Sequence, residues 1–331
     1  METVVSGIRP TGKLHLGNYF GAVRNFVRMQ QDYHCFFFAA DYHSLTTHPK
    51  ADDLHETVKG VIAEYLACGI DPEKCTLYIQ SDVPETAELY LILNMFSYVG
   101  ELERSASFKE KIRAQPDNVN AGLLTYPVLQ TADVIIHKAN KVPVGKDQVQ
   151  HLEMARNFVN RFNHIYGVDY FPEPHPFNFA EEPVKVPGLD GSGKMGKSEG
   201  EGNAVFLTDE PEAIRKKVMR AVTDSGPTQI NQEKSEVIQN LFLLMKLVSA
   251  AETVKHFDEL YNNCTIRYGD MKKQLAEDII AFTTPIRERA TAIRNDSTRL
   301  HSILSKGAEK AQASAAKTVK EVREIIGIRK F

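Results

Sequence analysis

The sequence has no Trp, only four cysteines, no long apolar run and almost no excess charge. Cys35, Cys68, Cys75 and Cys264 form no C-x-x-C pair and lie far apart, which excludes a disulfide framework and a cysteine-built zinc or iron–sulfur site. Scattered thiols of this kind suit a reducing compartment, so a cytoplasmic protein is expected. No apolar stretch approaches the roughly 20 residues a membrane helix requires. The opening Met1-Glu-Thr-Val-Val-Ser-Gly7 has no basic region ahead of an apolar run, and neither export nor membrane insertion is expected. Lys plus Arg number 40 against 43 Asp plus Glu, a formal charge of −3, which is no overall nucleic-acid footprint but leaves room for a local basic face. The missing Trp excludes nothing. What remains is 331 residues with 42% hydrophobic and 25% charged content, a globular composition for one large or two modest domains. A chain of that length can bury enough surface to fold without metal or crosslink.

The first half alternates short apolar runs with stretches of helical period. Val4 to Ile8, Cys35 to Ala40, Thr76 to Gln80 and Lys141 to Val144 read as strands. Asn18 to Asp32, Asp52 to Cys68, Pro84 to Tyr98, Tyr126 to Ala139 and Asp147 to Phe162 read as helices. The alternation predicts βαβ units, hence an α/β fold with a Rossmann-type parallel sheet whose ligands sit at the carboxyl ends of the strands. After Gly167 the Pro- and Gly-rich stretch to Gly202 predicts a mobile loop. Beyond it Glu212 to Ala221, Glu233 to Ala250, Lys272 to Phe282 and Leu300 to Ile326 have helical period, with no run of strands, which predicts a C-terminal all-helical domain. Residues 299–331 carry eight Lys or Arg against three Glu, consistent with either a solvated helix face or an RNA-facing surface.

Two segments carry chemistry. Ser6 to Ala22 runs from a strand through a loop punctuated by Gly7, Pro10, Gly12 and Gly17 into a helix, and a helix N-terminus offers backbone N–H groups to phosphate. His15 and Asn18 are one helical turn apart and can address the same phosphates. The Walker pattern is absent. Gly193-Lys194-Met195-Gly196-Lys197-Ser198 brings two lysines on a glycine-rich loop that can close over a polyphosphate; a solvated basic linker is the plain alternative.

Together, His15-Leu-Gly-Asn18 and Lys194-Met-Gly-Lys-Ser198 resemble the paired HIGH and KMSKS signatures of class I aminoacyl-tRNA synthetases. The longer matches (Gly17-Asn-Tyr-Phe-Gly-Ala22, Gly122-Leu-Leu-Thr-Tyr-Pro127, Val142-Pro-Val-Gly-Lys-Asp-Gln148 and Ala221-Val-Thr-Asp-Ser225) resemble bacterial-type tryptophanyl-tRNA synthetases nearly end to end. That resemblance implies an enzyme that joins L-tryptophan to ATP, with Mg²⁺, as an adenylate and passes it to tRNA(Trp), working as a homodimer. It implies a catalytic domain over residues 1–190 that also dimerises. Residues 191–331 would form the KMSKS-like loop and an anticodon-binding helical domain whose last segment packs back on the first.

By the same resemblance, His15, Asn18, Lys194 and Lys197 are catalytic. Arg9, Pro10, Thr11, Gly17, Asn18, Gly145, Lys146, Asp147, Val186 and residues Lys194, Met195, Gly196, Lys197 and Ser198 bind ATP, with Lys111 a further phosphate candidate. Asp133 accepts the indole N–H, Tyr126 and Gln148 orient the ammonium and carboxylate, and Gln130 lies beside the ring. No protein-held metal is implied. Gly196 stands where the signature has serine, Arg9 where glutamine is common and Gln130 where methionine is common. The rivals are a tyrosyl-tRNA synthetase, which shares the fold and both signatures, and a non-catalytic synthetase-like RNA-binding protein. A nucleotidylyltransferase with a HIGH-like motif is more distant.

Overall fold

The computed structural model describes residues 1–145, 149–177, 184–191, 193–196 and 202–329. Thr3–Ile8 forms β1, which lies at the centre of a wholly parallel sheet. His34–Ala39 (β2) pairs with it from Thr3↔His34 to Ile8↔Ala39, and Thr76–Ile79 (β3) continues the sheet beyond β2. On the other side come Lys141–Val142 (β4) and His175–Pro176 (β5), giving the order β3-β2-β1-β4-β5.

The run His34-Cys-Phe-Phe-Phe-Ala39 has no polar alternation because both faces of β2 are covered. On one face Phe37 stacks on Phe26 with ring centroids 4.9 Å apart, and Tyr65 meets Phe26 edge-on. On the other, Phe36 stacks on His137 at 3.9 Å and Phe38 on Tyr78 at 5.5 Å. The crossovers supply those covers. Ala51–Ala67 (α1) buries Val58, Val61, Ile62 and Tyr65 as one stripe. Glu85–Asn94 (α2) begins behind Pro84, and Tyr126–Ile135 (α3) has Pro127 in its first turn, where a missing N–H costs nothing. Val149–Tyr166 (α4) completes this half.

Beyond residue 207 every regular element among the described residues is a helix: Pro211–Met219 (α5), Glu236–Val248 (α6), Ala251–Asn262 (α7), Tyr268–Asn295 (α8) and Ser297–Ile326 (α9). The α9 helix lies against β3 and α2. Its buried stripe runs through Gly307, Ala308, Ala311, Ala315 and Val319, and Gln312 Nε2 donates to Asp82 O at 2.6 Å. Arg323 pairs with Glu88 on α2.

Four departures from the sequence expectations have physical causes. The stretch read as one helix from Asn18 to Asp32 is a turn of α-helix (Leu16–Asn18), a π-helical stretch (Tyr19–Val23) and a second α-helix (Arg24–Met29). In the widened part the Arg24 N–H reaches Tyr19 O, and Tyr19 and Phe20 both meet the ring of Phe282. The loop expected after Gly167 contains β5, a two-residue edge strand whose Pro176 needs no ladder N–H. Helix α8 runs far beyond Lys272 to Phe282, passing through Pro285. Finally, α7 is an additional helix that opens with a capping turn at Ala250 instead of continuing α6.

At Gly307 a Cβ would stand 1.8 Å from Leu77 O, which is backbone and cannot swing aside. Gly307→Ala should therefore lift α9 from β3 and cost about 3 kcal/mol in overpacking. A denaturant midpoint indistinguishable from that of the parent would contradict this contact.

Candidate active site

Because the strands all run one way, their carboxyl ends share one rim. β1 delivers Arg9 and Pro10 to it, β2 delivers Asp41 to His43, β3 delivers Gln80, and β4 leads to Gly145. The next-to-last position of β1 must be small, because a Cβ on Gly7 would fall 2.4 Å from the Phe38 ring.

A buried polar cluster lies under this rim. Asp133, only 4% exposed on α3, has Oδ2 2.8 Å from His43 Nε2 and accepts from Gln80 Nε2 through Oδ1 at 2.7 Å. The Gln80 amide is fixed in that sense because its Oε1 accepts the Tyr42 N–H at 3.1 Å. Burial pushes the Asp133 carboxyl up, and the bonds from His43 and Gln80 oppose that push by stabilising the charged form. His43 also lies over Tyr126, ring centroids 4.2 Å apart, and both line a cavity of about 290 Å³ with Tyr42, Tyr90, Thr125 and Leu129.

Around Tyr126 several buried polar atoms have no partner among the described residues: Arg9 Nε, Lys111 Nζ, His43 Nδ1 and Gln130 Oε1. Lys111 comes from the helix Ala106–Ala114 and places its Nζ 2.9 Å from the Tyr126 ring centroid. Burial, reinforced by the neighbouring Arg9 guanidinium, lowers its pKa to about 7. Arg9 is steadied by an Nη2 bond of 2.7 Å to Thr47 Oγ1. A lysine whose charge is disfavoured by a neighbouring guanidinium, with Lys111 Nζ and Arg9 Nε both unpartnered among the described residues, describes a place for an anion.

The first motif starts at Gly12, whose φ of 113° only glycine adopts without strain. His15 caps the following turn: Asn18 N–H donates to His15 Nδ1 at 3.3 Å, and His15 N–H donates to Asn18 Oδ1 at 3.0 Å. The two side chains thus hold each other's backbone, and the imidazole lies so close to the chain that a Cβ on Gly17 would be 2.8 Å from it. Met195 O is 3.5 Å from that same point, so the two motifs meet at Gly17. Met195 is buried and donates its N–H to Val186 O at 2.8 Å, whereas Lys194 is exposed. Residues 205–207 then run antiparallel to the first motif, with Leu16 N–H to Val205 O at 3.0 Å and Leu207 N–H to Leu14 O at 2.8 Å.

Of the sequence-derived residues, Arg9, Tyr126, Gln130 and Asp133 thus gather around one buried cluster. Pro10, Thr11, His15, Gly17 and Asn18 form the neighbouring turn, and Val186, Lys194, Met195 and Gly196 lie against it. Lys146, Asp147, Gln148, Lys197 and Ser198 lie outside the described residues. Sequence reasoning missed His43 and Gln80; the signal available was their position directly after β2 and β3, at the ligand-binding ends of parallel strands.

A family profile for class I tRNA synthetases of the W and Y type matches residues 2–284. The chain is 64% identical over 329 residues to the tryptophan–tRNA ligase of Porphyromonas gingivalis, covering 99% of this chain and 100% of that one. The chain belongs to the class I tRNA synthetases. It is also 39% identical to the tryptophan–tRNA ligase of Fusobacterium nucleatum, with 99% of this chain and 98% of that one covered. In structure it matches the tryptophanyl-tRNA synthetase of Campylobacter jejuni, solved with ADP and tryptophan, at a TM-score of 0.89 and 34% identity over 98% of this chain and 99% of that one. This synthetase is therefore a tryptophan–tRNA ligase, an aminoacyl-tRNA ligase built on the parallel sheet described above; the tyrosine and non-catalytic readings are set aside.

Lys111 supplies a test of the anionic character of the site. With a pKa of about 7 it is largely neutral at pH 8.5 and charged at pH 5.5. An anion beside it favours the charged form, so ATP should bind with proton uptake near pH 8.5 and with little near pH 5.5. Calorimetric titration in buffers of different ionisation heat reads this directly, and Lys111→Met should abolish the difference; equal uptake in that variant would assign the proton elsewhere.

Proposed function

We propose that the rim holds ATP and tryptophan side by side and aligns them for adenylate formation. Arg9, Pro10, Thr11, Gly17, Asn18, Gly145, Lys146, Asp147, Val186 and the segment from Lys194 to Ser198 hold the nucleotide. Tyr126, Gln130, Asp133 and Gln148 hold the amino acid. The observation that carries this reading is the set of buried, unpartnered atoms around Tyr126, which need a ligand that brings an anionic group to Arg9 and Lys111 and a donor to Gln130.

In the first step a tryptophan carboxylate oxygen forms a bond to the α-phosphorus while the bond to the bridging oxygen of pyrophosphate breaks. The nucleophile is already an anion, so alignment and charge stabilisation matter more than a general base. Lys194 and Lys197 stabilise the charge on the leaving pyrophosphate. The His15 and Asn18 capping pair keeps the turn rigid beside the phosphates. Mg²⁺ is taken to arrive on the nucleotide, coordinated by its phosphates. Bound there, it would neutralise phosphate charge. In the second step a terminal ribose hydroxyl of tRNA(Trp) attacks the acyl carbon and AMP leaves, with the loop around Lys194 keeping water from the mixed anhydride.

Asp133 already accepts two bonds, and its remaining lone pairs can take the indole N–H. A ring without a donor leaves that capacity unused in a buried place. We assign residues 1–190 to the catalytic domain and 191–331 to the loop and anticodon-binding domain. The lysines of α9 at 306, 310, 317 and 320 are exposed, which suits RNA contact. Leu91, Met95, Tyr98 and Val99 form an exposed apolar surface at the end of α2, which supports a homodimer. Cytoplasmic residence fits a tRNA ligase in which no helix of the described residues is long and apolar enough to cross a membrane.

Pyrophosphate exchange into ATP, run with tryptophan, with tyrosine and with neither, tests the assignment: exchange with tryptophan alone is expected. Asp133→Asn places an amide against the Gln80 or His43 donor and should weaken tryptophan binding roughly 100-fold while ATP binding holds; equal losses for both ligands would remove Asp133 from the amino-acid site. Met95→Asp should convert the dimer to monomers in light scattering, and a persistent dimer would move the interface off α2.

A further inference from the structure

Glu64 is a carboxylate buried to 4% exposure in the last turn of α1. Its Oε2 accepts the Leu14 N–H at 2.6 Å, and its Oε1 accepts the Thr208 hydroxyl at 3.4 Å. Those two partners belong to the two strips that pair across the motifs. Leu14 to Leu16 leads into His15 and Gly17, and residues 205–207 bond to it through the Leu16 and Leu207 amides. Neither of those two pairing bonds uses the Leu14 N–H. Glu64 takes that N–H and reaches across to the strip's next residue, so one rigid carboxylate closes the end of a short two-stranded ribbon. Gly17, at the other end of the ribbon, is where Met195 O and the His15 ring converge.

We propose that Glu64 is a positioning residue for adenylate formation, holding the first motif in register with the segment that follows the second. The inference rests on the reading of these two motifs as the nucleotide site. A charged acceptor is the strongest partner a backbone amide can have, and carboxylate bonds are roughly twice as strong as neutral ones. The site needs that rigidity because the phosphates must meet the turn within a fraction of an ångström. A cleft of about 440 Å³ borders Glu64, lined by Gly12, Lys13, Asp53, Glu56, Thr208 and Arg294. Water can therefore solvate the Leu14 amide when the carboxylate is removed. Truncation then frees the motif to move more than it starves a buried group.

The experiment separates tryptophan binding from the ATP-dependent step in the full chain. Glu64→Ala should lower kcat for tryptophan-dependent pyrophosphate exchange about 10-fold and leave the Kd for tryptophan unchanged. Glu64→Gln should restore most of the rate, because its amide oxygen accepts from Leu14 and its amide nitrogen donates to the Thr208 oxygen. Thr208→Val should fall several-fold in kcat and add nothing further on the Glu64→Ala background. A parental kcat in Glu64→Ala, a matching loss of tryptophan affinity, or a Gln variant as slow as the Ala variant would each overturn the assignment. If the Ala variant does not fold, the Gln and Val variants carry the same comparison. Lys194→Ala is measured alongside: undiminished exchange there overturns the reading of the motifs as the phosphate site, whereas a slow Lys194→Ala beside a fast Glu64→Ala overturns the role of Glu64 alone.

Discussion

Parallel pairing of β1 with β2 and β4 is the constraint from which the site follows. Strands that all run one way must return by crossovers, and every crossover leaves from the same edge of the sheet. Arg9, His43 and Gln80 are far apart along the chain, yet each follows the last residues of a strand, so the topology alone assembles them. The order β3-β2-β1-β4-β5 also fixes where the rim is deepest, since connections leave in opposite directions on the two sides of β1. The first motif leaves β1 at that point. A glycine at position 7 and a second at position 12 are what the bend and the nearby Phe38 ring require.

Burying charge beneath such a rim is expensive, and the way the cost is met explains the arrangement. Asp133 keeps two donors on its carboxylate, and Gln80 is itself locked by the Tyr42 amide, so the network admits one orientation. Lys111 and Arg9 are treated oppositely: they are half-buried near a tyrosine ring and near each other, and the ammonium pKa falls to about 7 in consequence. A structure selected for stability alone would pair these cations with carboxylates, as Lys217 is paired with Asp209 at 2.6 Å. The contrast between a carboxylate that keeps two donors and the unpartnered Lys111 Nζ and Arg9 Nε is what the proposed division between an amino-acid site and a phosphate site rests on.

The alternating half was legible in the sequence because buried parallel strands leave long apolar runs, and His34 to Ala39 has one. The fifth strand was not, since two residues carry no periodicity and β5 exists only through its bonds to β4. Helix α8 shows the same limit from the other side: Pro285 breaks the local pattern, but packing against α1 and α5 carries the helix past it. In the site, the glycines of the first motif were legible because each answers a local steric demand. His43, Gln80 and Glu64 were not, because each acquires meaning only from a partner 90, 53 or 50 residues away. Burial and long-range partnership are properties of the fold, and no motif of adjacent residues contains them.

Along α8 the helical half meets the half that carries the sheet through two unlike kinds of contact. Midway, Phe282 stacks on Phe20 at 5.3 Å and meets Tyr19 edge-on at 5.2 Å, an apolar contact with the π-helical stretch of the first motif. On its C-terminal side, Arg289 Nε donates to Ala67 O at 2.9 Å, while Arg294 reaches Glu56 at the exposed rim. Guanidinium bonds to helix-end or loop carbonyls tolerate small rotations, because the carbonyl accepts over a broad angle. Ring stacking tolerates them less, since contact area is lost as soon as the rings slide. Of the two kinds of contact along α8, the firmer is therefore the aromatic cluster at Tyr19 and Phe20, next to Asn18. Along α8 the aromatic anchor thus lies next to the turn proposed to hold phosphate, and the π-helical widening is what allows two adjacent rings to share one partner.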